Sequence, residues 1–157
     1  MKQLTKKLFK KYKAVTLIEV LTVIAIITIL TAVAVPTTGY YLPGIKLSGS
    51  ARVLATNLRE AQERTVTEQN PYLIRFYTSP PYSYELIRLN DGVEDSPIKK
   101  IKLASDITIG LQDTIINNRI VFSSDGGPSS NGNITLTTST GTSKVVSVSP
   151  AGFIKVE

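Results

Sequence analysis

One run of residues limits what this chain can fold into: from Val15 to Val35 every residue is aliphatic, Ala or Thr, with Glu19 the sole exception. As a helix these 21 residues reach about 31 Å at roughly 1.5 Å per residue, enough to cross a bilayer core. Lys2, Lys6, Lys7, Lys10, Lys11 and Lys13 crowd the N-terminal side of the run. The positive-inside rule then holds residues 1–14 in the cytoplasm and sends everything after Pro36 across the membrane.

The same lysines account for the net charge of +6. Of 18 basic residues, the 12 that remain from Val15 onward meet 12 acidic ones. A nucleic-acid role argued from the basic pI would therefore rest on a leader segment and not on a binding face. Cys and His are both absent, which excludes disulfides, thiolate or imidazole metal sites, Cys nucleophiles and any triad built on a His base. A length of 157 residues allows one ordinary domain with an appendage.

Glu19 is the informative position. A carboxylate inside an apolar run costs about 2.5–3.5 kcal/mol on insertion scales and normally marks a functional partner; here it calls for a cation. The surrounding KAVTLIEVLTVIAIITIL, Lys13 to Leu30, resembles the class III signal of type IV prepilins and type II secretion pseudopilins. The resemblance implies that a membrane prepilin peptidase cuts between Ala14 and Val15 and that the new amino terminus at Val15 is methylated. It further implies that Glu19 neutralises the Val15 amine of a neighbouring subunit, an attraction that grows in a low-dielectric setting. Val20, Leu21, Ile24 and Ile27 would supply the apolar face that packs against other pilin or pseudopilin subunits. The family favours Gly before the cut and Phe after it, where this chain has Ala14 and Val15. Two plainer readings stand beside it: an ordinary secretory signal cut after Ala32-Val33-Ala34, which would release a soluble β domain, and a simple single-pass anchor.

Beyond the run, PTTGYYLPGIKLSG from Pro36 to Gly49 combines two prolines with three glycines and predicts an interrupted or bent helix. Helical periodicity returns at about 47–67, with Leu47, Ala51, Leu54, Leu58 and Ala61 on one stripe. Arg59 with Glu63, and Glu60 with Arg64, have the four-residue spacing of a solvated, pair-stabilised face. Strand patterns fill residues 71–157: Tyr72–Tyr77, Tyr82–Leu89, Ile98–Leu103, Ile107–Leu111, Arg119–Ser123, Asn133–Thr138, Lys144–Ser149 and Phe153–Val156. The order predicts an α+β fold, with a transmembrane then amphipathic helix packed on an antiparallel sheet. Three segments follow: a leader at 1–14, a membrane helix at 15–35 and an extracytoplasmic domain at 36–157. This is the pilin plan, and LREAQERTVTEQN running into YLIRF, IVFSSDGGPSSNGNITLT and VVSVSPAGFIKV resemble the H-type minor pseudopilin and FimT-like family. That family implies a minor subunit at or near the fibre tip, serving protein secretion; some FimT-like relatives instead bind DNA during uptake.

Other sites carry less. Asp125, Asn131 and Asn133 in SSDGGPSSNGN give a calcium loop one carboxylate, where hard cations recruit several acidic oxygens. Tyr72, Phe76, Tyr77, Tyr82 and Tyr84 could stack bases, yet only Lys144 and Lys155 are basic after Arg119, so nucleic acid is not an expected partner. Lys99, Lys100 and Lys102 alternate with apolar residues as the wet side of a strand. Glu85, Asp91, Glu94 and Asp95 cluster around a turn without a nucleophile or base, so neither catalysis nor a cofactor is expected.

Overall fold

A computed structural model describes residues 15–157. Helix α1 runs from Leu17 to Glu68. It is continuous through residues 36–49, where the prolines and glycines predicted an interruption. Proline costs a helix one backbone donor and a steric clash at a single turn, and here the helical pattern resumes on both sides of each. The chain divides into two compact units between Tyr40 and Tyr41, inside that same segment. At its far end α1 stops where Gln69 adopts a left-handed φ of 53°. The Asn70 side-chain amide donates to the Glu68 carbonyl, and Pro71 cannot extend the helix.

Nine strands follow: β1 Tyr72–Tyr77, β2 Ser83–Asn90, β3 Val93–Glu94, β4 Lys99–Lys102, β5 Ile107–Leu111, β6 Arg119–Phe122, β7 Gly132–Thr138, β8 Ser143–Val148 and β9 Ile154–Val156. All eight sequence-predicted strands are present. The additional β3 is the far side of a hairpin whose turn, Asp91-Gly92, has φ of 50° and 80°, the left-handed pair that a two-residue type I′ turn requires. A short 3₁₀ turn at Ile116–Asn118 leads into β6.

The strands form two antiparallel sheets where one was expected. The first has the order β3-β2-β1-β6, with β4 also pairing along β2; the second runs β5-β7-β8-β9. Both press on one stripe of α1. Leu47, Ala51, Leu54, Ala55, Leu58 and Ala61 are in a single core with Tyr72, Ile74, Phe76, Leu86, Ile120 and Phe122 of the first sheet and Ile107, Ile134, Leu136, Val146 and Val148 of the second. Spacing of three and four residues puts that stripe on one helix face.

Alternation along β1 is incomplete. Leu73 points away from this core yet is fully buried, as is Ile87, its cross-strand partner on β2. The same outer face carries Arg75 and Arg119, both ion-paired with Glu94, and long side chains of this kind cover apolar surface with their stems.

Leu58 has no exposed surface, and its truncation leaves a cavity where helix meets sheet. Leu58→Ala should lower unfolding free energy by about 2–5 kcal/mol, measured by chemical denaturation; a loss near zero would contradict this account of the core.

Candidate assembly helix and the polar contacts of the β domain

The first turn of α1 is built by Thr16. Its carbonyl accepts from the Val20 amide at 3.2 Å, and its hydroxyl oxygen accepts from the Glu19 amide at 3.3 Å. Thr-x-x-Glu at a helix start is the pattern of a capping box. Sequence reasoning passed over Thr16, although that pattern was there to find. Glu19 is therefore the third residue of the helix, where the positive end of the helix dipole favours its carboxylate. It is exposed and makes no ion pair with another described residue.

Leu17–Ala34 is long and apolar enough to cross a membrane, with a mean hydropathy of 2.6 and none of it buried. Val20, Leu21, Ile24 and Ile27 are all exposed, but so are Leu17, Ile18, Val23, Ile26, Ile29, Leu30 and Val33, the whole set lying between 45% and 79%. Apolar surface thus surrounds the helix, and the four expected packing residues are not set apart from the others. All-round apolarity is the mark of a helix in lipid or among other apolar helices. The threonines fit this setting because Thr22, Thr28 and Thr31 donate to the carbonyls of Ile18, Ile24 and Ile27 at 2.7–2.8 Å, leaving no hydroxyl proton unsatisfied. Val15 is exposed just before the helix, and Ala14 lies outside the described residues.

In the β domain, polar side chains fasten α1 to both sheets. The Asn57 amide donates to the buried Tyr84 hydroxyl at 2.9 Å, and burial raises the pKa of that phenol. Arg59 does not pair with Glu63 as its spacing suggested: its guanidinium donates to the Ile154 carbonyl at 2.7 Å. Gln62 donates to the Gly126 carbonyl at 2.8 Å. A Cβ on Gly152 would come within 2.5 Å of that Gln62 amide, so the glycine there admits the latch. Arg64 does meet Glu60, at 3.1 Å.

The acidic residues grouped around the hairpin in sequence separate in space. Glu94 pairs with Arg75 and Arg119. Glu85, 4% exposed, accepts from the Tyr77 hydroxyl at 2.7 Å and from Lys100 at 2.6 Å. Lys99 pairs with Glu60 on α1. Two of the three β4 lysines are thus clamps and not simply a wet strand face, a role that pairing across strands and to the helix hides from local sequence. Asp125 accepts from the Gly127 amide at 3.1 Å within its own turn, while Asn133 lies on β7.

With this geometry in hand, the chain matches the family described as Type II transport protein GspH over residues 50–152, more than half its length. The chain belongs to the GspH family. Residues 9–35 match a second description, the prokaryotic N-terminal methylation motif. Among solved structures, the minor pseudopilin EpsH from the type 2 secretion system of Vibrio cholerae is similar at a TM-score of 0.61 and 11% identity, over 71% of this chain and 96% of that one. The type IV minor pilin FimU of Pseudomonas aeruginosa PAO1 is similar in two crystal forms, with TM-scores of 0.58 and 0.57 and identities of 19% and 18%, over 71% of this chain and 87% and 92% of the other. At such identities the likeness shows the fold. No curated protein matches the chain. A GspH-family domain behind a methylation motif makes this a minor-pseudopilin-type subunit of a type II secretion or type IV pilus-like fibre. It is membrane-anchored, and the family is one of structural subunits.

Burial opposes the charge of Glu85, and the Lys100 and Tyr77 hydrogen bonds outweigh it, leaving its pKa below the ordinary glutamate range. The Lys99 hydrogen bond does the same for Glu60. Their stabilisation is complete above an unfolded-state value near 4.3 and is lost as pH falls through the lower folded-state values. Glu85→Gln should reduce stability at neutral pH and flatten its decline in acid, followed by denaturation at a series of pH values; parallel pH curves for the two proteins would refute this coupling.

Proposed function

We propose that this GspH-family chain is cut between Ala14 and Val15 by a prepilin peptidase, methylated at Val15, and assembled through α1 as a minor subunit at or near the tip of a fibre that serves protein secretion. Residues 1–14 are then a cytoplasmic leader, 15–35 cross the inner membrane once, and 36–157 lie on the extracytoplasmic side. The observation that carries the reading is a coincidence: the methylation motif at 9–35 overlies a helix that is exposed and apolar on all faces and has one carboxylate in its first turn. Cleavage at Val15 would place a new α-amine one residue before the Thr16 cap. Glu19 of an adjacent subunit would neutralise that amine as helices pack, and the match of charge to charge would set the axial register. Val20, Leu21, Ile24 and Ile27 contribute to the apolar packing surface along with the rest of the helix.

Capture of DNA is the rival role within the same fold. Against it, Arg64, Arg75, Lys99, Lys100, Arg119 and Lys155, half of the 12 basic residues from Val15 onward, are each held by a carboxylate, which reduces the charge free to neutralise phosphates and release counterions.

Expression beside a prepilin peptidase should give a mature chain that begins at N-methylated Val15, read by mass spectrometry; an intact Met1, or a start at Val35 as an ordinary signal would give, would overturn the proposal. Glu19→Ala should insert into membranes normally yet enter fibres at a small fraction of the wild-type level, scored by shearing and immunoblotting. Equal incorporation would remove Glu19 from the assembly step.

A further inference from the structure

On the outer face of the first sheet, turned away from α1, side chains stand in rows across the strands, because directly opposed residues of an antiparallel pair share a face. One row is Lys100 on β4, Glu85 on β2, Arg75 on β1 and Arg119 on β6. Its charges are closed: Glu85 takes Lys100 at 2.6 Å, and Glu94 takes Arg75 and Arg119. The next row is Lys102, Ser83 and Tyr77. Here a serine stands where the first row has its glutamate. Lys102 is exposed, and among the described residues it makes no ion pair.

All three residues of that second row line a groove of about 460 Å³, a volume in the range of small-ligand pockets. Pro80, Pro81 and Lys100 line it as well, and no carboxylate does. Lys100 is neutralised by Glu85 and sits 5.4 Å from the centre of the Tyr77 ring, while the Tyr77 hydroxyl donates to Glu85. Lys102 is then the uncompensated charge of the lining. Ser83 is 5% exposed, and its hydroxyl makes no hydrogen bond with another described residue. Its oxygen still opens on the groove: among the described residues, the side-chain nitrogen or oxygen that is both sealed and without a partner is Arg88 Nε alone. Neighbouring strands lie about 4.7–4.9 Å apart, so a flexible ammonium on β4 and a hydroxyl on β2 are within reach of one small anion.

One positive charge and one hydroxyl donor suit a singly charged carboxylate, held by charge-assisted hydrogen bonds. A phosphate group carries nearly two charges and is commonly met by arginine clusters, and a nucleic-acid backbone needs a track of cations. Tyr77, Pro80 and Pro81 are exposed beside the cation. Their flat apolar rings offer packing to the stem and neighbours of the carboxylate, which a protein segment has and a free small acid lacks. We propose that this groove binds an acidic side chain of a partner protein, whose carboxylate accepts from Ser83 Oγ and Lys102 Nζ and completes this row as Glu85 completes the one beside it. The proposal does not depend on leader cleavage or fibre formation.

The test uses the full chain in detergent micelles, with amide chemical shifts followed by NMR as the synthetic peptide Ala-Leu-Glu-Leu-Ala, blocked at both ends, is added. The expected result is a set of shifts centred on Ser83 and Lys102. Ser83→Ala should weaken binding by about tenfold, as loss of a hydrogen bond to a charged group does, and leave thermal stability unchanged, because that hydroxyl has no partner within the fold to lose. Lys102→Met should weaken it by about two- to fivefold, the effect of an exposed ion pair, and Lys102→Arg should retain it. Absence of shifts at millimolar peptide, shifts centred away from β2 and β4, equal binding of a Gln-centred peptide, or undiminished affinity in both Ser83→Ala and Lys102→Met would overturn the site. Tighter binding of a phosphoserine-centred peptide would overturn the carboxylate. Shifts that grow with chain concentration without peptide would replace the partner by a second copy and likewise overturn the proposal.

Discussion

Burial of one stripe of α1, Leu47 to Ala61, between two sheets is the interaction on which the rest of the domain depends. Neither sheet has an apolar face that closes on itself, and the sheets do not share a strand. The helix gives both a common surface, and removal of large apolar side chains from water at about 25 cal/mol per Å² drives all three together. Hydrophobic burial sets no direction of its own. Direction comes from the polar latches: Asn57 to Tyr84 on the first sheet, and Arg59 to Ile154 and Gln62 to Gly126 on the second side.

That division explains what was legible in the sequence. The apolar stripe, all the longer strands, and the lone carboxylate in a bilayer-length run are local patterns of period 3.6 or 2, and each could be read from its own neighbourhood. The family resemblance at the N-terminus rested on the same local signal. What escaped was set at long range or by pairing. The split into two sheets depends on β5 choosing β7 over β4, a choice that no residue in ITIGL announces. Arg59 took a carbonyl 95 residues away in place of Glu63 four residues on, and the β4 lysines found carboxylates on α1 and β2. Leu73 lies outward by the alternation of β1 and is nonetheless buried, as is Ile87 opposite it on β2.

The interrupted helix failed for a different reason. Proline and glycine weaken a helix locally, but propagation from ordered turns on either side adds a hydrogen bond for each residue fixed. Two long, good helical segments can therefore carry a poor one between them. The same segment nonetheless holds the division between the two compact units.

Thr22, Thr28 and Thr31 have one more consequence. Because each commits its hydroxyl proton to its own helix, the side of the rod presents a neighbour with shape and dispersion alone. Such a surface cannot distinguish one apolar helix from another by any directional bond. In the assembly proposed above, such a helix would join any apolar helix alike, and the identity of a subunit, the information that lets it occupy one place and not another, would be written on the β domain.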